Sequence, residues 1–158
     1  MSPRILTHIA PDLDAVVSAW LAQRYLFAGR AEVHFIPRKI VRERFPGDCL
    51  VDIGNSHDPD RLWFDHKPPA FPDRNQTCAA KLVWEHLLRR GEPLWHLEPL
   101  ITVTFEGDTR RHSPALKQSR LDGPHAELAL ANRLHATNCE RYERMRRWLD
   151  RYEERCPV

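Results

Sequence analysis

The sequence predicts an α/β fold, a largely parallel sheet flanked by helices and followed by a C-terminal helical extension. Three observations carry that expectation. Strand-length apolar runs recur at 4–9, 32–37, 49–54 and 61–66. Segments with helical apolar spacing follow the first and the last of these runs. Residues 124–155 are strongly helix-forming, with neither Gly nor Pro after the start. Strands that alternate with helices call for parallel pairing through right-handed crossovers. The expected division is a core over 1–123 and an extension over 124–158 packed on or near it.

Each element has a local reason. Residues 4–9 are mostly apolar, as in a strand covered on both faces. From Asp14 to Ala28 the apolar residues Val16, Val17, Trp20, Leu21 and Phe27 keep helical spacing, and Gly29 ends the helix. EVHFIP is a second strand stopped by proline, and the basic, Pro/Gly-punctuated segment 38–48 is a loop. CLVDIG and RLWFDH read as the third and fourth strands, with NSHDPD as the turn between them. After HKPPAFPDRN a helix is expected from Gln76 to about Arg90, with Ala80, Val83, Trp84 and Leu87 inward. LITVTF has strand character, yet Leu94, Leu97 and Ile101 fit a helix, and a helix is expected over 93–106. In the tail, Leu130, Leu134, Tyr142, Met145, Leu149 and Tyr152 form an apolar stripe, and Glu140/Arg144 and Glu143/Arg147 are pairs four apart. That stripe would pack on its own domain or join two subunits as a homodimer.

A chain of 158 residues supports one sizeable core. A formal net charge of +2 does not mark a nucleic-acid binder, but Arg and Lys cluster at 38–44, 110–120 and 141–155, which points to phosphate. No apolar stretch is long enough to span a bilayer, so no membrane partner is expected. His8, Asp12 and Asp14 interrupt the N-terminal apolar run, and a cytoplasmic location is the expectation. Cys49, Cys78, Cys139 and Cys156 are scattered without a C-x-x-C pair, as reduced thiols are.

Four places put ligand-type side chains at element ends: His8-x-x-x-Asp12-x-Asp14, Asp52 in LVDIG, Asp65-His66 in WFDHK, and Asp108 in FEGDTRRH. Ligands of an open parallel sheet bind outside the carboxyl ends of its strands. Carboxylates gathered there repel one another unless cations lie between them. Imidazole with carboxylate oxygens suits manganese, with magnesium or iron as the alternatives. Each piece also has a plain structural reading. Asp12 and Asp14 could cap the helix, Asp52 could accept turn hydrogen bonds, Asp65-His66 could be a strand exit, and Asp108 could be a turn residue.

THIAPDLDAVVSAW resembles the first motif of the DHH phosphoesterase superfamily, LVDIG its second, FDHKP its third and EGDT its fourth. The resemblance covers roughly residues 4–112. It implies two manganese ions, with His8 and Asp12 at one, Asp14 and His66 at the other, Asp52 bridging and Asp108 completing the second. Asp65 would be a ligand or would orient His66, and is expected with Lys67 among the catalytic residues. The implied activity is hydrolysis of a phosphoester, on short oligonucleotides or nucleotides, by a metal-activated water.

The chain departs from the family at two points. Lys67 stands where the family has its second histidine, and a lysine is a point charge that cannot share a proton near neutral pH. Only 46 residues follow His112 (158 − 112), too few for the family's second, substrate-gripping domain. Substrate phosphates are therefore expected on Arg38 and Lys39 after the second strand, and on Arg110, Arg111 and His112 after the fourth motif. The contrasting expectation is a catalytically weakened module that binds a nucleotide or a protein, which Lys67 keeps open.

Overall fold

Burial on both faces makes a strand of the first apolar run: in β1 (Arg4–His8) the last four residues are buried. The computed structural model describes residues 2–157. The chain leaves β1 through α1 (Leu13–Leu21), which runs on as a π-helical turn over Ala22–Leu26, and returns in β2 (Glu32–Ile36), parallel to β1. β3 (Cys49–Val51) pairs with the other side of β1, also parallel. Beyond it lie β5 (Trp63–Phe64), parallel to β3, and the antiparallel edge strand β4 (His57–Asp58). The sheet order is β2-β1-β3-β5-β4. Its direction of progress reverses between β1 and β3, the switch point where open sheets leave a crevice.

Two expected strands are shorter than the apolar runs suggested. Asp52 takes a left-handed backbone, φ 55°, which ends β3 at Val51 and turns the rest of CLVDIG out of the ladder. Leu62, also left-handed at φ 58°, delays β5, and Asp65 and His66 follow that strand rather than belonging to it. NSHDPD is not only a turn, since His57 and Asp58 pair with Phe64 and Trp63.

Period-2 alternation sorts the strand side chains between two cores. Ile5, Cys49, Val51 and Phe64 join the helices in the larger one. Leu6, Leu50 and Trp63 point the other way, with Ile53, Ile36, Ile40 and Phe45. Helices therefore cover one face, and the loop over 37–48 closes the other.

The remaining helices are α2 (Ala79–Arg89), α3 (Glu98–Asp108), α4 (Pro114–Asp122), α5 (Pro124–Leu134) and α6 (Asn138–Arg155). α2 starts three residues later than the apolar spacing suggested. α3 keeps the β-branched LITVTF helical because Leu100, Ile101 and Thr104 find a buried face. α4 lay unread in the sequence, although Ser113 before Pro114 is a capping signal and its hydroxyl accepts from the Leu116 N–H. The tail breaks at 135–137, where Thr137 and Glu140 form a capping box that opens α6. Glu140 is spent on that cap, Arg144 pairs with Glu127 at 2.7 Å, and Glu143 with Arg146 at 2.5 Å, so the two expected pairs do not form.

Tyr142, Met145 and Leu149 of α6 and Leu128 and Ala131 of α5 enter the same core as Val16, Val17 and Trp20 of α1. Leu134, expected in the stripe, is exposed, and Leu130 is half-buried. Trp20 Nε1 donates to Asp150 at 2.9 Å and the Tyr142 hydroxyl to Gln23 at 2.9 Å, which ties α6 to α1. Among the described residues no helix is long and apolar enough to cross a membrane, and the four cysteines are free thiols.

Because Met145 is fully buried between α6 and the sheet core, Met145→Ala is expected to cost about 2–5 kcal/mol of stability. Urea unfolding followed by tryptophan fluorescence and by circular dichroism should shift as one transition. An early, separate loss of helix would mean that the tail is an independent unit.

Candidate metal centre

Three strand ends and three helix ends converge at the carboxyl edge of the sheet. β1 ends in His8, which is fully buried. The chain then turns through Ala10 and Pro11, and Asp12 caps α1, accepting the Ala15 N–H at 3.0 Å. Asp14, in the first turn, is buried and reaches across to α2, accepting the Ala79 N–H at 2.9 Å and the Ala80 N–H at 2.7 Å. α2 has no cap from its own Cys78 side chain, so Asp14 serves as one from a distance. The capping readings of Asp12 and Asp14 are thus both physically present. They leave Asp52, His8, His66 and Asp108 unexplained.

The two imidazoles are held alike. His8 Nδ1 donates to the Ile9 carbonyl at 2.9 Å, and His66 Nδ1 donates to the Arg74 carbonyl at 2.7 Å. A ring fixed through Nδ1 presents the lone pair of Nε2, the arrangement common to metal-binding histidines. His8 Nε2 lies 2.9 Å from Asp52 Oδ2 and 3.8 Å from Asp12 Oδ1. His66 Nε2 lies 3.4 Å from Asp108 Oδ2 and 3.7 Å from both Asp14 Oδ2 and Asp52 Oδ1. The buried atoms His66 Nε2 and Asp108 Oδ2 have no hydrogen-bond partner. Asp108 ends α3, where the helix dipole is negative and a carboxylate is disfavoured.

These atoms fall into sets able to hold a cation: His8, Asp12 and Asp52; Asp14, His66 and Asp108; and Asp52, Asp65 and His66. Asp52 belongs to two of the sets and offers a different oxygen to each imidazole. The unpartnered atoms, the pinned rings and the mixed nitrogen and oxygen donors fit a divalent cation.

Without a cation, protons must answer the crowding. Burial opposes protonation of His8, but the Asp12 and Asp52 carboxylates outweigh it and raise the ring to about 9. His66, opposed by burial and favoured by Asp52 and Asp14, also rises to about 9. Burial pushes Asp14 well above the usual carboxylate range, and the charges of Asp52 and Asp108 add to it. Asp108 moves upward by burial, partly offset by His66. Asp52, although buried, is pulled down by His66, His8 and Lys67.

Lys67 is not a solvated loop residue. Its ammonium touches Asp52 Oδ1 and lies 3.1 Å from Asp65 Oδ1 and 3.4 Å from the Asp52 carbonyl. Burial disfavours that charge, yet the two carboxylates hold its pKa above the usual lysine value. Asp65, fully buried, also accepts the backbone N–H groups of Asn55 and His66 at 2.8 Å and of Lys67 at 3.3 Å. Its oxygens thus hold the loop that carries His66 and Lys67.

A cleft of about 400 Å³ opens onto this edge, lined by Asp12, Asp14, Asp108, Arg38, Arg74, Arg110 and His125 among others. Of the five expected phosphate ligands, Arg38 and Arg110 face it. Lys39 lines a separate depression beside Ile40 and Phe45, His112 lies in another beside Leu116, and the Arg111 guanidinium sits 4.7 Å over the Phe105 ring. Arg74 and His125 escaped the sequence reading. Arg74 lies in a loop that crosses the strand ends between β5 and α2, a placement the motif order implied. His125 carried no signal, because only the packing of α5 brings it in. Ser18 donates to the Asp14 carbonyl at 2.6 Å, so it is spent within α1.

No family model, curated protein or solved structure matches the chain.

Two outcomes follow for the metal-free protein. Both rings carry protons below about 9, and a bound cation must expel them. Mn2+ affinity is therefore expected to rise with pH between 6 and 8, about tenfold per unit for each proton released. Calorimetric titration in buffers of different ionisation enthalpy counts those protons, and a pH-independent affinity would contradict the assignment. Lys67→Met removes the cation from Asp52, so the metal-free protein should melt earlier and bind Mn2+ more tightly.

Proposed function

We propose that the protein is a metal-dependent phosphohydrolase of the DHH phosphoesterase type, acting on short oligonucleotides or nucleotides with two divalent ions, preferably manganese. The observation that carries this reading is the pair of Nδ1-pinned imidazoles whose Nε2 atoms face carboxylates from the start of α1, the β3 end and α3. His8, Asp12 and Asp52 would hold one ion, and Asp14, His66 and Asp108 the other, with Asp52 shared. Ions held there would supply Lewis acidity toward water and a phosphate oxygen.

The chain's own groups do the rest. Asp65 holds the His66 and Lys67 backbone in place through the hydrogen bonds described above. Arg38, Arg74 and Arg110 line the cleft and would neutralise substrate phosphates. Lys67 balances the charge of Asp52 and can turn to a phosphate oxygen once cations take over that task. The cleft volume, about 400 Å³, suits a nucleotide or dinucleotide. Among its described lining residues there is no Phe, Tyr or Trp to stack a base, which favours recognition through phosphate.

A binding module is the second reading, and the Lys67 contact to Asp52 favours it by supplying one cation from within the chain. The two readings separate in an assay of the purified protein with Mn2+ on bis(p-nitrophenyl) phosphate and on a dinucleotide. Hydrolysis is expected, with losses of about 100-fold or more in Asp52→Ala and Asp12→Ala while the fold persists by circular dichroism. A wild type that takes up two equivalents of Mn2+ and hydrolyses neither substrate would be a binding module.

A further inference from the structure

We infer that His125 is a substrate-contacting residue whose Nε2 hydrogen-bonds a phosphate oxygen bound in the cleft, so that the α4–α5 hairpin completes the site. The inference rests on the reading of the cleft as a phosphate site. His125 is the second residue of α5 and the only imidazole among the described lining residues, beside Asp12, Asp14 and Asp108 and the three arginines.

Three features of the sequence place this ring. Ser119 Oγ lies 2.7 Å from His125 Nδ1 and also accepts the His125 backbone N–H at 3.5 Å. In the tautomer where the Ser119 hydroxyl gives its hydrogen to Nδ1, the ring proton sits on Nε2. Gly123 lets α5 fold back on α4: a Cβ there would stand 2.7 Å from the Ser119 Cα. Gly107, in the last turn of α3, leaves room for the ring itself, since a Cβ there would meet His125 Nε2 at 2.3 Å. Alanine would be the better helix former at 107. The glycine is explained by the imidazole edge that rests on it, one residue before Asp108. Burial, with the charge of Arg120, lowers the pKa of the ring, so it meets phosphate as a neutral donor. The three arginines carry their charge on long side chains, whereas a ring seated between two glycines and a serine supplies an N–H at a fixed place.

The test uses full-length protein in excess Mg2+, labelled with 15N-histidine, titrated with inorganic phosphate and followed by long-range 1H–15N spectra. The His125 Nε2 resonance is expected to move saturably with phosphate. His125→Ala and His125→Leu should weaken phosphate binding about tenfold, while His125→Gln, which keeps an amide N–H at similar reach, should stay within about threefold. Gly107→Ala should weaken it like His125→Ala with an equal or higher melting temperature, which a merely structural role for the ring would not produce. An Nε2 resonance unmoved at saturating phosphate, or wild-type phosphate affinity in His125→Ala, overturns the inference. Phosphodiester turnover measured alongside separates the two claims. An inert wild type with His125-dependent phosphate binding sinks only the hydrolase reading. An active one with His125-independent binding and kcat/KM sinks only this inference.

Discussion

Mutual repulsion among buried carboxylates is the constraint around which this molecule is arranged. Asp14, Asp52 and Asp65 are buried, and Asp108 nearly so, within reach of two imidazoles. In a medium of low polarity such a group of acids stays charged only where each has a donor or a cation. The chain supplies what it can: backbone amides for Asp14 and Asp65, a lysine for Asp52, ring protons from His8 and His66. Asp108 receives no hydrogen bond at Oδ2. The imbalance left over is what a divalent cation would neutralise.

Topology makes that convergence inexpensive in chain length. The order β2-β1-β3-β5-β4 puts the ends of β1 and β3 side by side at the switch point, with β5 next in line. His8, Asp52 and His66 therefore arrive from adjacent strand ends and need no long loops to meet. The helices add two kinds of end. The N-termini of α1 and α2 are satisfied by Asp12 and Asp14, and the C-terminus of α3 contributes Asp108 against its own dipole. Only one of these arrangements, the last, is unfavourable to the helix that makes it.

The sequence disclosed the parts of the site that lie beside local boundaries. His8, Asp12, Asp14 and His66 flank a strand end, a helix start or a proline pair, and each boundary has a signal a few residues long. Asp52 is visible as a residue, but its left-handed backbone and that of Leu62 are not, so β3 and β5 are shorter than their apolar runs. The closure of the second sheet face by the 37–48 loop depends on Ile40 and Phe45 meeting Leu50 and Trp63, contacts without a local pattern. Basic residues were the least legible. Arg111 and Arg110 are neighbours in the chain, yet one is taken by the Phe105 ring and the other faces the cleft. Nearness along the chain gave their region and could not give their direction.

The bidentate grip of Asp14 on the first amides of α2 makes that residue a poor witness to chemistry. A descendant that no longer held a cation would still keep an acid at 14, because the helix would lose its anchor without one. His66 has no such second employment for its Nε2, and only the Nδ1 bond to the Arg74 carbonyl would resist its drift to glutamine or leucine. The imidazole, rather than the more numerous acids, is the residue whose persistence would distinguish a working centre from a relic.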